Sequence, residues 1–265
     1  IINPGRRTPI PPLSVVRAKE IDRESGLESA IYTDYKADIG SRLTLRAGLR
    51  LSTFLAMGPE TVYLYNPSFP KEANTITDSV VFRSGSITRA YAGPEARLSL
   101  NYRISGESSL KLNYNRTYQY LHLLSNTLAI SPTDTWKLSD YHTRPQAGDQ
   151  VAAGVYLEIM DNDYELSADG YYKWLHNLID YKGGAVLTLN ETIEQDLIPA
   201  SGKAYGLELV LKKNRGKLKM TMNYTWSRVM IRSTGKFGPE IINRGEYYPA
   251  NYDRPHDLNL QLNWL

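Results

Sequence analysis

The chain has 265 residues, with 31 Lys plus Arg against 28 Asp plus Glu, a formal net charge of +3, and no Cys. So even a balance excludes the large basic excess of a non-specific nucleic-acid binder and the single-sign block of an acidic disordered tail. The lack of Cys excludes disulfide scaffolds, thiolate catalysis and zinc–thiolate sites, and a hydrophobic content of 42% excludes wholesale disorder.

Apolar runs extend only a few residues, as at 151–153, whereas a membrane-spanning helix needs roughly 20. No transmembrane helix is encoded. The mean hydropathy of −0.42 suits a water-soluble domain, and equally a membrane β-barrel whose strands alternate apolar and polar residues. The 20 Tyr and 4 Trp against 4 Phe favour aromatics with a polar tip, suited to a lipid–water boundary. No signal peptide opens the chain and Ile1 is not Met, so the expectation is a mature or internal piece.

In chain order, residues 1–26, with Pro4, Pro9, Pro11 and Pro12, read as an external loop or linker segment. Nine strands follow, expected at about 27–37, 42–54, 87–104, 109–120, 148–159, 164–175, 203–213, 217–231 and 256–265. Their evidence is strict alternation rather than helical spacing. Leu43, Leu45, Ala47, Leu49 and Leu51 interleave with Thr44, Arg46, Gly48, Arg50 and Ser52. The same split recurs at Leu98, Leu100 and Tyr102 against Arg97, Ser99 and Asn101, and at Val151, Ala153, Val155 and Leu157 against Ala152, Gly154, Tyr156 and Glu158. Leu218, Met220, Met222, Tyr224 and Trp226 repeat it, as do Leu258, Leu260, Leu262 and Trp264. The first strand is the least clean.

Connections at 38–41, 105–108, 160–163 and 214–216 are short and rich in turn formers, among them Gly40, Gly106, Asn162 and Gly216. Those at 55–86, 121–147, 176–202 and 232–255 exceed the roughly 12–15 residues that compact soluble domains tolerate. Short turns alternating with long loops are the pattern of an outer-membrane barrel with periplasmic turns and extracellular loops. Phe54, Tyr118, Tyr120, Tyr172, Trp174, Trp226 and Trp264 fall near strand ends, as an interfacial girdle requires. The fold class expected is all-β: an antiparallel transmembrane β-barrel of which residues 27–265 form part. An odd count of nine does not close a bacterial barrel, which takes an even number, so the parent expected is a 22-stranded transporter with a plugged lumen.

Specific strings narrow this further. Ser131-Pro-Thr-Asp-Thr-Trp-Lys-Leu-Ser139, Arg144-Pro-Gln146 and Asp149-Gln150 precede the strand from Val151. Tyr114-Asn-Arg-Thr-Tyr-Gln-Tyr120 leads into Leu123-Leu-Ser-Asn-Thr127; Gly202-Lys-Ala-Tyr-Gly-Leu-Glu208 and Tyr247-Tyr-Pro-Ala-Asn-Tyr-Asp-Arg-Pro-His-Asp-Leu258 follow. In this order they resemble TonB-dependent outer-membrane receptors, particularly those with a carboxypeptidase-like regulatory domain, in the C-terminal half of the barrel. The resemblance implies active import of an iron–siderophore, vitamin, glycan or peptide, with TonB acting through an N-terminal plug. It implies no cofactor and no nucleic acid, and as partners TonB, outer-membrane lipid, the nutrient ligand and a surface lipoprotein. No plug, TonB box or terminal β-signal is visible in these residues.

The residues themselves point away from catalysis. His122, His142, His176 and His256 lack the helical His-Glu-x-x-His spacing of a zinc hydrolase. Asp134, Ser139 and His142 share one loop, but residue types this common define no triad. Asp161, Asn162 and Asp163 read as a turn rather than a calcium loop. Ligand binding is the expectation for the long loops, through Asp134, Trp136, Tyr141 and Arg144 in one and Arg244, Tyr247, Tyr248 and Tyr252 in another. Strand charges such as Arg46, Arg50, Arg97, Arg103, Lys111, Glu165, Asp169, Lys173, Glu208 and Lys219 should face the lumen, because a charge aimed at lipid costs about 2–4 kcal/mol at the midplane. Two other readings remain open: a passive porin or structural barrel, and a soluble carbohydrate-binding β-sandwich with its Leu-rich faces covered by a second sheet.

Overall fold

The computed structural model describes residues 1–3, 6–8, 19–125 and 134–264. Pro4, Pro9, Pro11, Pro12, Asn126, Thr127, the Ser131-Pro-Thr start of its motif and Leu265 lie outside them. Nine long strands form the wall: β1 (Ser25–Ile39), β2 (Leu43–Met57), β3 (Ile87–Arg103), β4 (Ser108–Gln119), β5 (Gln146–Ile159), β6 (Tyr164–Tyr181), β7 (Leu197–Lys213), β8 (Leu218–Ser233) and β9 (His256–Trp264). Each pairs antiparallel with its sequence neighbour, and the two-residue strand Tyr248–Pro249 joins β8 to complete a ten-stranded sheet. β1 and β9 are its edges and do not pair with each other, so the sheet is a partial, unclosed barrel wall.

Register carries the alternation across the wall. Arg46 stands opposite Ser99, Ser99 opposite Asn113, Asn113 opposite Ala152, Ala152 opposite Tyr171 and Tyr171 opposite Gly206. All are members of the polar set. Because the side-chain period is two, this single register places every apolar set on the other face. That face is uncovered: Leu49, Val151, Leu207, Leu258, Leu260 and Leu262 are all exposed. Leu45, Leu100 and Met220 share it and are half-buried by their neighbours in the wall. The uncovered face rules out the β-sandwich, whose Leu-rich faces would be buried. On the polar face the charges pair with one another, Arg46 with Asp34 at 3.3 Å, Arg50 with Glu28 at 3.2 Å and Lys212 with Glu165 at 3.1 Å.

The short turns match expectation, with Gly40 and Gly216 in the left-handed region at φ 64 and 91, where a side chain would be strained. The long connections depart from plain loops. That after β2 contains a hairpin of Glu60–Tyr65 and Ile76–Phe82, and that after β4 a hairpin of Leu121–Leu124 and Thr135–Leu138. The expected loop 176–202 is shorter than read, because β6 and β7 continue pairing to Tyr181 and Leu197. A bulge between Leu175 and Leu178, with Asn177 at φ 53, breaks the period of two at the point where the alternation faded.

Packing concentrates at the loop end. Phe54 stacks on Tyr120 with ring centroids 5.0 Å apart, and Ala56, Tyr91, Tyr118 and Leu138 close around them. A second cluster joins Leu124, Leu187 and Ile193 to Ile179, Tyr181, Ala185 and Leu197. The wall therefore holds a folded mouth at one end, while its body offers one apolar and one polar face.

Candidate functional site

The mouth is stitched together by contacts between loops. Lys137, 6% exposed, lies 2.9 Å from Glu24 and 2.5 Å from Asp140. Glu24 also accepts from the Leu138 backbone N–H, and Asp140 accepts from the N–H groups of His142 and Thr143. Burial opposes the charge on Lys137, but the two carboxylates prevail and raise its pKa; Asp140 is lowered because Lys137 and the backbone donors outweigh its burial. Nearby Glu60 is pushed up to about 7, chiefly by burial and then by the Asp140 charge.

Ser139 sits 2.9 Å from Nε2 of His122 rather than against His142, and both members of the pair are buried. Nδ1 of His122 has no partner among the described residues. Burial, and secondarily Lys137, holds His122 neutral down to about pH 4. Without an orienting acid or access to substrate, this pair does not form a hydrolytic site. His142 instead places Nε2 2.9 Å from the Tyr63 carbonyl oxygen.

That contact brings the loops after β2 and β4 together over a cavity of about 380 Å³. Its wall includes Tyr65, Phe69, Lys71, Tyr141, His142 and Phe237, drawn from three different connections. Tyr65 donates to Glu194 at 2.6 Å and accepts from Gln195, tying in the loop after β6. The rings of Tyr65 and Tyr141 meet His142 edge-on at 5.6 and 5.1 Å. Lys71 is a partly buried ammonium with no ion pair among the described residues, and burial lowers its pKa. Lys182 approaches from β6, donating to the Lys71 carbonyl oxygen at 3.1 Å. The cavity thus offers aromatic faces beside Lys71 and Lys236, with the Glu240 carboxylate also in its wall.

The expected ligand residues fall into two groups. Trp136 stands on the second hairpin and Asp134 just before its returning strand, Arg144 is exposed before β5, and Tyr141 alone of these four lines the cavity. The loop after β8 does reach the cavity, but through Thr234, Lys236, Phe237 and Glu240. Arg244 lies in a 3-10 turn, Tyr247 packs against Lys203 and Arg232, Tyr248 donates to Asp180, and Tyr252 is exposed. Tyr65, Phe69 and Lys71 were missed; their one signal was the aromatic–proline–lysine run of 63–71 in a loop too long to be idle. Among the described residues no group of three or more His, Asp or Glu is arranged to hold a metal ion.

A single antiparallel sheet with one uncovered apolar face, one ion-paired polar face, short turns at one end and packed loops at the other defines a wall section of an outer-membrane-type β-barrel. The family is shown by its sequence pattern: residues 4–265 match the TonB dependent receptor-like, beta-barrel family, and the chain belongs to it. Members of that family are transporters rather than enzymes, and are outer-membrane barrels of Gram-negative bacteria. Among solved structures, the chain resembles the FrpB iron transporter from Neisseria meningitidis (13% identity, TM-score 0.56, covering 85% of this chain and 29% of that one). It also resembles the ferric-catecholate import receptor Fiu from E. coli K12 in its closed form (16% identity, TM-score 0.57, 91% and 32%). A third likeness is the copper transporter OprC (12% identity, TM-score 0.52, 82% and 33%). At these identities the likeness shows the fold, and the chain spans about a third of the length of each. No curated protein matches.

Proposed function

We propose that the chain forms part of the barrel wall and external mouth of an outer-membrane receptor that binds an iron–siderophore and imports it, with TonB supplying the work through a plug domain. The polar face lines the lumen and the apolar face meets lipid. The observation that carries the ligand assignment is the cavity beside Lys71: aromatic walls around an ammonium that has no ion pair among the described residues favour a chelate whose ligands are aromatic and anionic, as catecholates are. Its volume lies within the roughly 300–1,000 Å³ typical of small-molecule sites. The iron and ferric-catecholate transport named for FrpB and Fiu agrees with this chemistry.

The test is fluorescence quenching of the purified receptor by a ferric tris-catecholate and by a ferric trihydroxamate. Stronger binding of the catecholate, weakened about tenfold by Lys71→Glu and by Tyr141→Ala, is the expected result. Equal affinity for both chelates, unchanged in both variants, would sink the assignment.

A further inference from the structure

The face that meets lipid carries a cation pair in one place. Lys203 stands opposite Trp174 on β6 and Met230 on β8, so it belongs to the apolar face. Arg232 lies two residues beyond Met230 on that same face. Both reach one ring: Lys203 Nζ is 4.3 Å and the Arg232 guanidinium carbon 5.1 Å from the centroid of Tyr247. Other cations near this level are neutralised, Arg116 by Asp149 at 3.5 Å and Arg228 by Asp253 at 2.9 Å. Lys203 and Arg232 form no ion pair among the described residues.

Their height is set by the aromatic belt. Tyr172 packs on Trp174 at 4.6 Å and on Tyr205 at 5.9 Å, and Tyr205 packs on Trp226 at 6.0 Å. Such a chain of amphipathic rings marks the lipid–water boundary. Lys203 is two residues beyond Tyr205 towards the loops. It is level with Trp174, the loop-side end of the belt, and Arg232, opposite Ser201, lies two residues further; at about 3.3 Å per residue and a tilt near 40°, that is about 5 Å above it. The headgroup layer adds roughly 5–7 Å on each side of the hydrocarbon core. The two cations therefore span the step from the belt to phosphate depth, with no ion pair among the described residues. Below them the same face stays apolar through Leu207 and Leu209 on β7, which stand opposite Trp226 and Tyr224 on β8.

We propose that Lys203, Arg232 and Tyr247 form a binding site for the phosphorylated headgroup of an outer-leaflet lipid, whose acyl chains lie along the apolar face of β7 and β8. The Tyr247 ring holds the two long side chains in place before the lipid arrives, and the phosphate supplies the anion the protein lacks there. The proposal rests on the membrane orientation given under the proposed function.

The experiment is native mass spectrometry of the whole receptor with diphosphorylated lipid A, with dephosphorylated lipid A and with inorganic phosphate. Wild type should retain the phosphorylated lipid preferentially. Lys203→Gln with Arg232→Gln should bind it on the order of tenfold more weakly and lose the preference, whereas Lys219→Gln on the polar face should not. Retained ferric-chelate binding and heat-modifiable migration report that the double variant is folded. Undiminished preference in the double variant, or displacement of the lipid by millimolar inorganic phosphate, would overturn the proposal. Failure of wild type to insert into vesicles would overturn the membrane reading beneath it.

Discussion

Lys137→Met removes the one cation from a site holding two carboxylates. The Lys137 side chain is 7% exposed, Asp140 12% and Glu24 25%, so neither acid regains much water when the ammonium is lost. Breaking a buried pair from one side costs about 3–5 kcal/mol; the partial exposure of Glu24 places this case near 3 kcal/mol, about a hundredfold in a local opening equilibrium. The loss is confined to the mouth, because the wall ladder does not pass through these residues. Hydrogen exchange followed by mass spectrometry across 121–143, corrected for intrinsic rates, measures it. The penalty comes from ionised carboxylates, so it should be full at pH 8 and smaller at pH 5, because loss of the Lys137 charge removes the largest influence that lowers the Asp140 pKa. A loss under about 1 kcal/mol at pH 8, or the same loss at both pH values, would refute the reasoning.

Glu60 supplies a second pH test of opposite sign to an ordinary paired carboxylate. Its pKa is raised from 4.5 to about 7, so the folded mouth holds a proton that the opened one releases, and stability falls as pH rises through that interval. Glu60→Gln should flatten the pH dependence of exchange in 60–82 and protect that segment at pH 8; an unchanged slope would contradict it. Within the wall, a Cβ at Gly206 would stand 2.6 Å from the Trp226 carbonyl oxygen, a backbone atom that does not swing aside. Gly206→Ala should lower the urea midpoint of barrel unfolding, at a cost of about 1–3 kcal/mol.

The wall was legible because its register is a parity rule. A sheet with one face in lipid writes its period of two into every strand, and the strands through Leu45, Leu100, Val155 and Leu260 stand where the alternation put them. The reading failed where parity fails: the bulge at Leu175/Leu178 hid the upper turns of β6 and β7. The mouth was less legible for a different reason. Lys137 and Glu24 are 113 positions apart, Tyr65 and Glu194 129 apart; no local period encodes such meetings. Tyr141 could be named because aromatic residues beside charges are conspicuous in a long loop, but its cavity partners Tyr65, Phe69 and Lys71 come from a loop whose fold depends on a few buried residues such as Val62.

Whether the wall spans the membrane with its packed loops outside is directly measurable, because the sequence has no native Cys. Trp136 lies on the second loop hairpin, and Gly216 in the turn between β7 and β8 at the opposite end. In intact cells expressing the whole receptor, a membrane-impermeant maleimide should modify Trp136→Cys at once and Gly216→Cys only after the outer membrane is permeabilised. Labelling of Gly216→Cys from outside with Trp136→Cys protected would contradict the orientation, and prompt labelling of both would contradict the membrane wall itself.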